Sequence, residues 1–175
     1  MRCYAPPAPA MTTSDVSIRP ALLSDASGVW QSLEPTIRDG ETLPLPRDMS
    51  KEDALEYWFS ASHEVFVAEQ AGTTVGSYFL RANQDGGGAH IANCAYVVSP
   101  SATGRGIAQG MCEHSLNQAR SRGFLAMQFN FVLSSDERRV KLWERAGFQT
   151  VGRIPKAFRH PALGLVDALV MHRTL

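Results

Sequence analysis

Apolar positions along the chain alternate between a period of two and a period near 3.6, and each change of period marks a new element. Val16 to Arg19 reads as a strand. Ser24, beside the acidic Asp25, reads as the N-cap of a helix to about Leu33. Residues 34–50 hold Pro35, Gly40, Pro44 and Pro46 and read as a loop. Ser50 with Asp53 forms a capping box for the helix KEDALEYWFSAS. Two β-rich runs, His63 to Glu69 and Thr74 to Arg81, meet at Ala71-Gly72 as a hairpin, and Asn83 to Gly88 is a turn. His90 to Ser99 is the central strand. Gly106 to Arg122 is a helix whose apolar stripe falls on Ala108, Cys112, Leu116 and Ala119, flanked by Ile107 and Met111. Phe124 to Leu133 is a strand and Asp136 to Ala146 a helix. Strands over Gln149 to Ile154 and Val166 to Arg173 end the chain. Strands alternating with helices, plus a hairpin, predict a mixed α/β sheet.

At 175 residues the chain fits one domain over 15–175, with no internal repeat. Residues 1–14, MRCYAPPAPAMTTS, are too rich in Pro and Ala to pack and read as a disordered tail, with Met11 a candidate start. The formal net charge is zero, which gives no basic footprint for nucleic acid. No apolar run approaches the ~20 residues of a membrane span. Cys3, Cys94 and Cys112 are an odd count without framework or metal spacing. A reduced, cytoplasmic setting and a metal-free protein are the expectation.

Chemistry concentrates in Ile91 to Arg122: an apolar strand, a Ser/Pro turn, a Gly-Arg-Gly loop, then a helix. In that order the loop amides and the first helical turn point at one spot, which favours an anion. No Lys-Ser/Thr follows the glycines, so this is not a P-loop. The dinucleotide fingerprint fails as well, because its third glycine would fall on Gln109. A pyrophosphate cradle of another design remains.

These residues resemble the acetyl-CoA motif of the GNAT superfamily of N-acetyltransferases, Arg/Gln-x-x-Gly-x-Gly/Ala. Here the motif falls on Thr103, Gly104, Arg105, Gly106, Ile107 and Ala108, with Thr103 in place of the usual long polar residue. KLWERAGF resembles the family's Leu-Tyr-x-x-x-Gly-Phe helix end with Trp143 in the Tyr place, and IRPALLSDASGVW resembles its first strand and helix. The resemblance implies a GNAT fold: a mostly antiparallel sheet with splayed central strands and flanking helices. It also implies acetyl-CoA as co-substrate, with direct transfer to an amine in a ternary complex. The strand before the cradle is kinked in the family. Its backbone at Tyr96, Val97 and Val98 would serve the pantetheine arm, with Val97 the oxyanion donor. Arg105 would neutralise pyrophosphate, and Arg138 or Arg139 would reach the adenosine end.

Asn93 and Asn130 interrupt apolar strands, where an unpaired buried amide costs ~1–3 kcal/mol. The family's splay would put one on each side of the cleft, able to hold substrate or assist the reaction. MQFNFVLSSDERRVKLWERAGF and IPKAFRHPALGLVDALVM resemble the subgroup that includes proline-analogue (azetidine carboxylate) acetyltransferases, where asparagines at these positions bind substrate. Asp136 stands where that subgroup has a third asparagine, which would contact the cofactor. Glu34, Asp39 and Glu41 lie in the loop that would shape the acceptor pocket, and His160 on its other wall. His63 and His90 open strands, and His114 reads as a surface residue. Neither a metal nor a nucleophilic side chain is expected. Three alternatives stay open: a silent acyl-CoA-binding module, a structural or partner-binding subunit, and an enzyme acting on a protein amine. A homodimer is compatible with all of these readings.

Overall fold

The computed structural model describes residues 16–175; the expected tail and Met11 lie outside them. Among the described residues seven strands form one sheet, in the order β1-β2-β3-β4-β5-β7-β6. The strands are β1 (Val16–Pro20), β2 (Glu64–Gln70), β3 (Thr73–Ala82), β4 (Ile91–Val98), β5 (Ala126–Leu133), β6 (Gln149–His160) and β7 (Gly164–Thr174). Every pairing is antiparallel except β4 with β5. Helices α1 (Ala26–Asp39) and α2 (Lys51–Trp58) cover one face, and α3 (Ile107–Ser121) and α4 (Glu137–Arg145) the other. Among the described residues no helix is long and apolar enough to cross a membrane.

Two cores follow from strand alternation. Phe66, Tyr78, Leu80, Met127 and Phe129 point at α3 and α4, where they meet Met111, Leu116 and Trp143. Val67, Phe79 and Val97 point at α1 and α2, where they meet Val29, Leu33, Ile37 and Trp58. A buried polar relay ties the second core to the sheet: Trp58 Nε1 donates to Ser77 Oγ (3.0 Å), which donates to Phe66 O (2.8 Å). Ala71 and Gly72 both take positive φ, as the predicted hairpin turn requires. Ser50 caps α2 as expected, accepting the Asp53 N–H at 3.0 Å.

Three expectations need correction. The first helix does not stop at Leu33; α1 runs through Pro35 to Asp39. An interior proline costs ~3 kcal/mol, but its missing bond falls toward the exposed Gln31. Burial of Ile37 returns roughly 1.5–3 kcal/mol. Arg38 adds to this by donating to Arg47 O (2.6 Å) and Met49 O (3.0 Å), while Arg47 Nε donates to Arg38 O (2.8 Å). Second, Ser24 is not the N-cap. It lies in a 3-10 turn (Leu23–Asp25), and Asp25 does the tying, accepting from Leu22 N–H and from Arg19. Third, β6 continues past Ile154 to His160, carried over Pro155 by a register irregularity between Ile154 and Phe158.

Candidate active site

The cradle at the start of α3 is built by glycine. Gly104 and Gly106 sit at φ 80° and 79°, a region that costs an L side chain ~1–2 kcal/mol. Gly106 is the N-cap and brings no side chain, and the first helical backbone bond is Gly110 N–H to Gly106 O at 3.0 Å. The amides of residues 106–109 therefore have no helical carbonyl to bond, and no acidic side chain occupies the first turn. Such an end suits an anion. Gly76 on β3 lies directly beneath: a Cβ there would fall 3.0 Å from Val97 O and 3.1 Å from the Met111 methyl. Its absence lets α3 settle onto β3 and β4. Two cradle side chains turn back onto the protein. Arg105 donates to Gln70 Oε1 on β2, and the Thr103 hydroxyl lies 3.4 Å from Ser99 O. Ile107 is buried and Ala108 half-buried.

Beside the cradle the sheet opens. β4 and β5 pair only at Ile91 with Ala126 and Ala92 with Met127, and then diverge. On its other side β4 keeps unbroken register with β3 from Ala92 to Val98, so that pairing carries none of the expected kink. The alternation of that ladder decides which amides face the opening. Ser99 N–H bonds Val75 O (2.9 Å) and Asn83 N–H bonds Ile91 O (2.7 Å). Odd-numbered residues of β4, Val97 among them, thus address β3. The backbone groups of Cys94, Tyr96 and Val98 address the gap. The expected donor at Val97 is spent inside the sheet, because strand period allows only alternate residues to face the cleft.

At the point of divergence Asn93 replaces the ladder: its Nδ2 donates to Gln128 O at 2.8 Å. Gln128 Nε2 donates to Asn130 Oδ1 (2.8 Å), and Asn130 Nδ2 donates to Asn83 Oδ1 (2.6 Å). Arg81 Nε approaches Asn93 Oδ1 at 3.4 Å. The two predicted asparagines are therefore brought together, in one polar row on the α1/α2 face of the sheet. Gln128, Arg81 and Asn83 belong to the row and were not singled out from sequence. Gln128 could have been, since it stands two residues before Asn130 and must share its face.

The remaining candidates lie apart from the row. Trp143 is buried among aromatic rings, 5.1 Å from Tyr96 and 4.9 Å from Phe129 between centroids. Tyr96 is half-buried, its hydroxyl is hydrogen-bonded to Ser115 Oγ (2.7 Å), and the loss of water around that hydroxyl drives the phenol far above the ordinary value. Asp136 caps α4, its Oδ1 accepting Arg139 N–H at 3.0 Å and its Oδ2 3.4 Å from Arg139 Nε. Glu34, now on α1, lies 3.8 Å from Arg38, and Glu41 is exposed in the following turn. His160 Nδ1 accepts the amides of Ala162 (3.2 Å) and Leu163 (3.3 Å) and closes the β6–β7 turn. Cys94 and Cys112 are buried free thiols, both pushed up to about 12 chiefly by burial.

Arg81 also lines an open cleft of about 440 Å³ with Asp53, Glu56, Tyr57, Ser60, Ser62 and His63. His63 stacks on Phe79 at 3.9 Å, and its Nδ1 lies 3.1 Å from Trp58 O, which fixes Nε2 as the free nitrogen of the neutral ring. His114 is half-buried rather than on the surface, because Tyr78 OH bonds its Nδ1 at 2.6 Å. Burial, aided by the charge of Arg81 at His63 and Arg122 at His114, lowers both imidazoles below 6.5. Both rings then bind protons more readily in the unfolded chain. Their contribution to stability is complete above 6.5 and is lost as pH falls through the depressed folded values. The thermal midpoint is expected to drop as pH falls from about 6.5 toward 5. The slope should flatten in a His63→Phe, His114→Gln double variant; an equal slope there would assign the effect to other groups.

Comparison with known proteins agrees with this geometry. Residues 30–148 match the acetyltransferase (GNAT) family. The chain belongs to that family and is an N-acetyltransferase of the GNAT type. It is 33% identical to a GCN5-related N-acetyltransferase from Kribbella flavida, with a TM-score of 0.90 over 94% of this chain and 100% of that one. It is also 27% identical over 151 residues to the N-acetyltransferase aca1 of Schizosaccharomyces pombe, covering 77% of this chain and 72% of that protein. Salmonella typhimurium yncA, solved with its cofactor acetyl-CoA, shares the fold at 18% identity, with a TM-score of 0.80 over 91% of this chain and 94% of that one.

Proposed function

We propose that the protein moves the acetyl group of acetyl-CoA to the amine of a small molecule, with an amino acid or proline analogue as acceptor. The observation that carries this reading is a coincidence of two openings. The unpaired edge of β4 begins at Asn93, and the open amides of residues 106–109 lie at the other end of the same strand-to-helix unit. Pyrophosphate suits those amides, which offer hydrogen bonds and the positive helix end. The backbone of Tyr96 and Val98 suits the pantetheine arm and the thioester carbonyl, the role first expected of Val97. Asn93, Gln128 and Asn130 offer both donors and acceptors to an acceptor amine held in the gap.

The chemistry asks little more of the side chains. The neutral amine attacks the thioester carbonyl, the C–S bond breaks, and the thiolate leaves with the electron pair. The amine proton passes to solvent or to a nearby base. A donor fixed where the oxyanion develops, together with proximity, supplies most of the acceleration. The test is acetyl-CoA-dependent thiol release across azetidine carboxylate, hydroxyproline, polyamines, lysine and a short peptide. Release with the cyclic amino acids is the expected result. Release with the peptide alone would replace the small-molecule acceptor by a protein amine, and no release from protein that binds acetyl-CoA would favour a silent binding module.

A further inference from the structure

The corner cleft and the asparagine row share one residue, Arg81. It lines the cleft with Tyr57 and His63, and its Nε approaches Asn93 Oδ1. It is half-buried, yet among the described residues it forms no ion pair, although Asp53 and Glu56 line the same cleft. Asp53 is already engaged with Ser50 Oγ at 2.7 Å. A half-buried guanidinium keeps a planar fork of donors, which matches a carboxylate with two parallel hydrogen bonds.

We infer that Arg81 binds the carboxylate of the acceptor, making a free α-carboxylate the feature by which this enzyme selects its amine. The inference rests on the acetyl-transfer reading above. The cleft's volume falls in the range of small-molecule pockets, roughly 300–1,000 Å³. Tyr57 and His63 supply flat walls, and their rings stand edge to face at 5.7 Å. Asn93, in contact with Arg81, leads from the carboxylate position toward the open edge of β4, so the amine of a bound amino acid is directed to the gap.

The experiment compares azetidine-2-carboxylate with its carboxamide in the wild type, Arg81→Met and Arg81→Lys. Loss of a charge-assisted pair is expected to raise KM for the acid about 10- to 100-fold in Arg81→Met. The carboxamide KM and both kcat values should stay within a few-fold, and Arg81→Lys should recover part of the loss. Equal damage to acid and amide, or a wild type indifferent to the carboxylate, would overturn the assignment. If neither compound is turned over, ligand-observed NMR of azetidine-2-carboxylate decides. Binding that is lost in Arg81→Met keeps the carboxylate site and sinks only the transfer reading; absence of binding to the wild type overturns the site.

Discussion

A Gly106→Glu variant is expected to lose acetyl-CoA affinity by about 100-fold or more while remaining folded. Two effects combine. At φ 79° any L side chain adds ~1–2 kcal/mol of backbone strain, a loss measurable as a lower thermal midpoint. The larger effect is electrostatic: the new carboxylate lies among the open amides of residues 106–109 and takes the place of the incoming anion. Titration calorimetry with acetyl-CoA, beside a Gly106→Ala control, separates the two. Alanine brings the strain without the charge and should retain most of the affinity. Unchanged binding in the glutamate variant would remove the cradle from the site.

Asn130→Ala is expected to cut turnover about 100-fold with acetyl-CoA affinity unchanged, the scale on which a single positioned polar group acts. Asn130 accepts from Gln128 and donates to Asn83, so truncation releases both partners and the row loses its order. It is half-buried, and water can replace these bonds with little loss of stability. Asn93 is the poorer probe. It is 8% exposed and closes the end of the β4–β5 ladder, so its truncation would cost ~1–3 kcal/mol of stability as well. Single-turnover kinetics with pre-bound acetyl-CoA checks the Asn130 effect. Normal turnover would leave that side chain a purely structural role.

Most of the fold could be read in the chain because its local signals agree with its long-range packing. The turn at Ala71-Gly72, the cap at Ser50 and the stripe on α3 each involve neighbours in sequence. The failures have the opposite cause. Pro35 argues locally for a stop, and only the burial of Ile37 and the mutual grip of Arg38 and Arg47 carry the helix onward. His114 looks like a surface residue until Tyr78, 36 positions away, is found bonded to it. The site divides in the same way. Glycines at 104 and 106 announce the cradle, whereas the direction of the Val97 amide depends on pairing with β3. Arg81 meets Asn93 only through cross-strand register.

The narrow junction between β4 and β5 also bears on how the chain folds. Every other strand pairing joins segments within 16–98 or within 126–174, and only the two pairs at 91–92 and 126–127 link the two groups. Each group can therefore assemble from its own contiguous stretch, with α3 as the covalent bridge, before the ends meet. Late, distant closures are the slow steps of β-rich folding. This topology confines the joining of the two groups to a single short contact, and the gap proposed to receive a ligand falls where the fold invests least in order.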